Sequence, residues 1–196
     1  MNARLFSILE TLELFDEMKS IQRASLKKDG DRENDAEHSW HLCMYALLLY
    51  REVDPGMDIA KVVEMLLIHD LVEIYAGDTF AYNEEGKKDQ EEREWQAAEK
   101  IKSRLPAELG RWYIKRWREF EKEKSTEADF ARSLDRMQAM GQNIFTRGAS
   151  WRKNGVRPED VENRAQTWKN SSTAAEEIFA HWWKEALNEG YFTNGN

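Results

Sequence analysis

Along almost the whole chain the apolar positions recur at three- and four-residue spacing, and strict alternation is scarce. That period belongs to amphipathic helices. Leu5, Ile8, Leu9, Leu12, Phe15 and Met18 mark a first helix. Residues 36–52 form a second that is apolar on nearly every side, which predicts a central position. A third is expected over roughly 58–76, with Asp58 as its N-cap and Gly77 as its stop. The segments 90–105, 107–122 and 126–145 read as three more, the first ending before Pro106 and the last opening after Ser125 or Thr126. Two shorter helices close the chain. Pro158 suits the first turn of one around 158–169, and Thr173 with Glu176 makes a capping-box pattern before IFAHWWKEAL, with Gly190 at its end. With three prolines, ten glycines and no internal repeat, the pattern predicts an all-α bundle.

At 196 residues the chain fits one domain, residues 1–196, able to bury a core without disulfides. The lone cysteine, Cys43, lies in the apolar run WHLCMYALLL and reads as a small core residue in a reducing compartment. Acidic residues at 10, 13, 16 and 17 are incompatible with a secretory apolar region, and no uninterrupted apolar span of bilayer length follows. A cytoplasmic protein without membrane partners is expected. The net charge of −8, from 37 acidic and 29 basic side chains, disfavours a nucleic-acid footprint. RWYIKRWREFEKEK, 111–124, mixes tryptophan with basic residues, but its spacing and its glutamates fit an amphipathic helix with a mixed-charge solvent face.

One stretch does not fit a plain core helix. LLIHDLVEIYAGD, 66–78, sets His69, Asp70, Glu73 and Asp78 in an apolar run. At about 100° per residue, Glu73 projects about 40° and Asp70 about 100° from His69, on the arc that also carries Leu66, Val62 and Val63. These groups point inward. Neighbouring buried carboxylates repel and are costly to desolvate, so a positive group must face them or their protons must stay on. For a His–Asp pair alone, hydrogen bonding across a helix interface would be enough. The second helix, however, opens with AEHSWHL, which supplies His38 and His41 behind Asp35 and Glu37. Imidazole and carboxylate from two inward-facing helices favour a metal. Loops 27–35 and 78–89 flank these residues, as gating loops do.

EHSWH at 37–41, HDLVEIYAGD at 69–78 and LDRMQAM at 134–140 together resemble the ordered H…HD…D signature of HD-domain metal-dependent phosphohydrolases. HDxxE followed by a GD dipeptide, an arginine (Arg23) well upstream of the first histidine, and the segments EEREWQAAEKIKSRLPAELG and STEADFARSLD are similar to the 5′-deoxynucleotidase branch, over roughly residues 1–145. The resemblance implies a single HD-domain helical bundle, with a metal-site core over about 20–145 and a C-terminal helical extension over about 146–196. It implies that His38, His69, Asp70 and Asp135 bind one divalent metal. Two imidazoles and two carboxylates suit Mn, Co, Ni, Zn or Fe(II). From its own helix alone, Asp135 could equally pair with Arg132 one turn earlier. His41 is a competing ligand or a packed neighbour, and His181 reads as packing. Binuclear members of this family need further histidines before the last aspartate, and residues 71–134 contain none.

On the same resemblance, Glu73 and Asp78 orient or deprotonate the attacking water, with Glu73 the better base, and Arg23 contacts the substrate phosphate. Ala24 stands where relatives place an aromatic residue beside the sugar. The implied activity is release of phosphate from small phosphomonoesters, most simply nucleoside (deoxy)ribose 5′-monophosphates. The alternatives are an HD hydrolase of diphosphate-containing nucleotides and a non-catalytic, metal-holding regulatory module. A homodimer is expected from the family and from the tryptophan-rich surface. Trp151 and Trp168 read as packing, and GASWRKNGVRPEDVENR, 148–164, has no assignable chemistry.

Overall fold

The structure, a computed structural model, describes residues 2–192. Helix α1 (Ala3–Phe15) is capped by Asn2, whose side chain accepts from the Leu5 amide, and it tightens into a 3-10 turn over Asp16–Lys19. The chain then forms an antiparallel ribbon of β1 (Gln22–Leu26) and β2 (Arg32–Asn34), closed by a turn with Gly30 at φ +93°. The all-α expectation therefore holds apart from this hairpin, whose second strand lies in the stretch expected to be a loop. The ribbon leads directly into α2 (Asp35–Val53). There Asn34 and Glu37 exchange a capping box, which fixes the first turn and so the direction of His38.

Helix α3 (Ile59–Ile68) starts at Asp58 as expected, but the predicted helix over 58–76 is not continuous. His69–Val72 is a 3-10 turn, followed by the single-turn α4 (Glu73–Ala76), which Gly77 ends at φ +74°. Ile68, Leu71 and Val72 pack under α5 (Gln90–Arg104) and α6 (Ala107–Lys122), whereas Met65 and Leu66 belong to the larger core around α7 (Thr126–Phe145). His69 and Asp70 therefore sit at the seam between two cores. The buried face of α6 carries Tyr113, Trp117 and Phe120, so the tryptophan-and-arginine segment is an amphipathic helix.

The central element is α7, not α2. Most of its length is buried, from Ala128 to Ile144, against α2, α3, α6 and β1. By contrast α2 buries one face and leaves Trp40 64% and Leu48 71% exposed. Beyond α7 lie α8 (Ala149–Lys153), α9 (Pro158–Ala165) and α10 (Thr173–Asn188). The cap of α10 is Ser172, one residue before the predicted Thr173, because the Ser172 hydroxyl accepts from the Ala175 amide. His181 on α10 is exposed, contrary to the expected packing. Trp151 and Trp168 are fully buried in the core that also holds Leu42, Leu134 and Phe179. Cys43 is a core residue, and burial pushes its thiol up to about 11. No helix among the described residues is long and apolar enough to cross a membrane.

Candidate metal centre

Four elements converge at the seam. His38 comes from the second turn of α2, His69 and Asp70 from the 3-10 turn, Glu73 from α4, and Asp135 from the middle of α7. One donor atom each from His38, His69 and Asp135 lie within 4.8 Å of one another, and so do donor atoms of Asp35, Asp70 and Glu73. Asp70 joins the two groups: its Oδ2 is 3.1 Å from His69 Nε2 and 3.8 Å from His38 Nε2. The four residues expected as ligands are thus brought together. Asp135 approaches His38 at 3.2 Å, while Arg132 pairs with Asp129 and the Phe120 carbonyl, so the alternative pairing of Asp135 with Arg132 is absent.

The hydrogen bonds behind the histidines set their tautomers. His38 Nδ1 lies 3.0 Å from Gln138 Oε1, and His69 Nδ1 lies 3.0 Å from the Leu66 carbonyl. Both partners only accept, so each Nδ1 carries its proton and each Nε2 faces the carboxylates, as metal-binding histidines require. His69 Nε2 is buried and faces Asp70 Oδ2 at 3.1 Å without a well-aligned hydrogen bond. His38 Nε2 lies 3.2 Å from Asp135 Oδ1, a pair that a cation between them would hold together. On these observations the residues fit a divalent ion. His41 stands outside the cluster, accepting from Gln138 Nε2 at 3.2 Å and stacking on Trp40.

Charge at the site is strongly coupled. Burial opposes charge on His69, but Asp70 outweighs it and raises His69 to about 9. His38 is lowered by burial and by Arg23. Burial disfavours charge on Asp70 as well, yet His69 and Arg23 hold it well below the usual carboxylate range. Asp135 is likewise held low against burial by His38. Glu73 moves the other way: burial, with the Asp70 charge beside it, pushes it up to about 12. Asp35 beside it is raised by burial and Asp70 to about 6. Asp78 is raised by burial.

Arg23 is not a surface arginine. Its Nη1 donates to Asp70 Oδ2 at 2.6 Å and to Asp35 Oδ1 at 3.2 Å. Burial opposes its charge, but the surrounding carboxylates raise it well above its ordinary value. One nitrogen of the guanidinium thus balances the Asp35–Asp70–Glu73 group, while the rest of the fork has no partner among the described residues.

Arg23, His69, Asp70, Glu73, Asp78 and Asp135 all line one cavity of about 330 Å³, within the usual size range of small-molecule sites. Ala24, Phe80 and Tyr82 line it too, so the loop 78–89 forms part of its wall. Arg93 ties that loop down through the Ala76 and Gly86 carbonyls and the Thr79 hydroxyl. The far wall comes from residues beyond 145, including Ser150, Trp151, Arg164 and Trp168. The tryptophans therefore pack and line the cavity at once.

Sequence reading missed several members of this site. Gln138 could have been found, because it stands one turn after Asp135 on the same helix face. Asp35 was visible only as a neighbour of His38. Glu94 and Glu121 come from α5 and α6, and burial together with Glu94 pushes Glu121 up to about 7. Arg136 and Arg164 also line the cavity, and burial, with Arg164 and Arg132 nearby, lowers Arg136. Glu37 is outside the site, bonded to the Asn34 amide and to Lys27.

A protonated His69 must give up its proton to act as a ligand, whereas His38 is already neutral. Apparent metal affinity is therefore expected to rise at least about tenfold per pH unit between pH 7 and 8, tenfold for each proton released. Calorimetry with Mn²⁺ across that range measures it. A flat profile would contradict this assignment of the proton.

A family model described as HD domain matches residues 15–186. The chain is 27% identical over 131 residues to 5′-deoxynucleotidase HDDC2 of Homo sapiens, covering 66% of this chain and 63% of that protein. It is 25% identical over 130 residues to the Mus musculus protein of that name, covering 65% and 64%. The matched stretch thus spans less than two thirds of these relatives. Among solved structures, a predicted metal-dependent phosphohydrolase from Magnetospirillum magnetotacticum MS-1 aligns over 98% of this chain and 97% of its own, with 37% identity and a TM-score of 0.90. An HD-domain phosphohydrolase from Listeria innocua, 17% identical with a TM-score of 0.69, shares the fold over 94% of this chain and 92% of its own.

Proposed function

The chain belongs to the HD domain family, and on that premise we propose that it is a metal-dependent phosphohydrolase that releases phosphate from small phosphomonoesters, nucleoside 5′-monophosphates first among them. The observation that carries this reading is the pairing of two histidines, each held through Nδ1 from behind and turned with Nε2 toward Asp70, at the edge of a cavity that Asp70, Glu73, Asp135 and Arg23 line. His38, His69, Asp70 and Asp135 hold one divalent ion. When bound there, the ion supplies Lewis acidity toward a phosphoryl oxygen and toward water. The relatives named as 5′-deoxynucleotidases support a nucleotide substrate.

The protein's own groups do the rest. Arg23 uses Nη1 to hold Asp70 and turns its remaining N–H groups to the nonbridging phosphate oxygens, which fixes the ester in line for attack. With a cation held beside Asp70, Glu73 would release its proton to solvent, and its carboxylate would then take the proton of the attacking water. Asp78, raised by burial and on the same wall, orients that water. Intact Glu73 and Asp78 separate this reading from a regulatory module, in which a purely structural metal needs no such acids. A phosphate-release screen of nucleoside mono- and diphosphates against Mn, Co, Ni, Zn and Fe(II) tests it. Failure of every monophosphate with every metal would overturn it.

Arg23→Lys keeps the charge and loses the fork. Its kcat/KM for phosphomonoesters is expected to fall by on the order of 2 kcal/mol, with metal content held. Ala24 lines the cavity without filling it, and Ser150 Oγ donates to the Ala24 carbonyl at 2.8 Å, which brings Trp151 alongside. Matched ribo- and deoxyribonucleotides are accordingly expected to react at more similar rates than in relatives with an aromatic residue after the arginine. Steady-state kinetics on such a pair checks both points. Unchanged kinetics in Arg23→Lys would remove Arg23 from the site, and strict deoxyribose selectivity would mean that another group, Trp151 foremost, replaces the missing aromatic.

A further inference from the structure

The arginines of the cavity wall differ in what they already hold. Arg23 is paired with Asp70 and Asp35. Arg132 spends its guanidinium on the Phe120 and Glu123 carbonyls and on Asp129. The guanidiniums of Arg136 and Arg164 hold nothing: neither makes a hydrogen bond or an ion pair among the described residues, though both side chains are partly buried and line the cavity. Arg136 follows Asp135 directly on α7, and Arg164 reaches the same wall from α9, which packs against α7. Arg132 and Arg136 are also one turn apart on one helix, a like-charge spacing that destabilises a helix.

Two unpaired guanidiniums in a concave wall of a chain with net charge −8 need a physical reason. The acids of the cavity do not supply it, since no carboxylate of Asp135, Glu121 or Glu94 forms an ion pair with either arginine. An anion does. We propose that Arg136 and Arg164 form a second anion subsite, which takes a second phosphate of the substrate while its scissile phosphate lies at Arg23 and the metal centre. This rests on the phosphohydrolase reading and narrows it to doubly phosphorylated small molecules. It also gives a role to GASWRKNGVRPEDVENR, whose last residue is Arg164 and whose Trp151 lies in the same wall.

The second phosphate can be borne in two ways, at a separate sugar hydroxyl or on the first phosphate. Adenosine 3′,5′-bisphosphate and ADP, each compared with AMP, distinguish them, because the base cancels in the ratio. For the metal-loaded wild type, kcat/KM for one of the two is expected to exceed that for AMP by at least about tenfold, the factor of one charge-assisted contact. Arg164→Gln and Arg136→Gln are each expected to lower that ratio at least fivefold, with Arg164→Lys between. A wild type that prefers AMP overturns the subsite. So does a variant pair that weakens all three substrates equally, because the arginines would then serve the scissile phosphate. Calorimetry of adenosine 3′,5′-bisphosphate and of ADP with the metal-free chain reads the subsite without turnover. If no ester is hydrolysed but one of the two binds wild type and is weakened by Arg164→Gln, the hydrolase reading fails and the subsite stands. Equal binding to both chains overturns the subsite, whatever the kinetics. Circular dichroism on each variant identifies any that does not fold, and the remaining variant then decides.

Discussion

Purified Asp70→Ala is expected to hold less than a tenth of the divalent ion bound by wild type and to lose phosphate release by about a thousandfold, which corresponds to about 4 kcal/mol of lost stabilisation. Asp70 is the hinge of the site. Its Oδ2 lies 2.6 Å from Arg23, 3.1 Å from His69 and 3.8 Å from His38, so its removal takes away one donor and leaves a buried arginine with Asp35 alone. Some loss of thermal stability follows from the unpaired charge. A companion variant decides which residues hold the ion. The Asp35–Asp70–Glu73 group is a rival cluster, but Arg23 already sits on it. If the ion belongs to His38, His69, Asp70 and Asp135, Asp135→Ala loses metal as Asp70→Ala does. If it belongs to the rival cluster, Asp135→Ala keeps its metal. Elemental analysis of the three proteins is the measurement, and equal metal in all of them would remove both clusters from consideration.

The parts of this site that could be read in the sequence are those fixed by local periodicity and order. Helices α5, α6 and α7 fall within one residue of the predicted ranges, because Pro106, Ser125 and a sustained apolar stripe mark their limits. The inward direction of His69, Asp70 and Glu73 survives even though the helix breaks there, since four residues of 3-10 turn rotate the face too little to carry it to solvent. The break itself left no signal: apolar residues continue through it, and its cause is packing against two different cores. The hairpin was missed for a related reason. Its strands of five and three residues carry no apolar alternation, and they are held by the helices beneath them, as where Gln142 donates to the Leu26 carbonyl. Helix α2 misled because its apolar residues run round the whole cylinder, yet Trp40, Leu47 and Leu48 face outward. Arg136 and Arg164 could not be joined before the fold was known, because only the packing of α9 on α7 brings them to one wall.

Glu73→Gln is expected to keep the metal and the fold and to lose between about a hundred- and ten-thousandfold in turnover, the range for removal of a general base. Glutamine resembles the neutral form of the side chain. Burial and Asp70 push Glu73 up to about 12, so without metal it is a neutral acid that donates to Asp35. A glutamine amide is also neutral, has nearly the same shape and can donate to the same carboxylate. Thermal stability of the metal-free chain should therefore change little, whereas Glu73→Ala would open a cavity in the wall. What glutamine cannot do is accept a proton from water. The two roles open to Glu73 thus separate cleanly. If it works as the base, turnover collapses at unchanged Tm and unchanged metal content. If it only balances charge in the core, Tm moves while phosphate release per folded molecule stays at the wild-type value. Measuring Tm, bound metal and kcat on one preparation reads all three quantities, and wild-type turnover in Glu73→Gln would pass the role of base to Asp78.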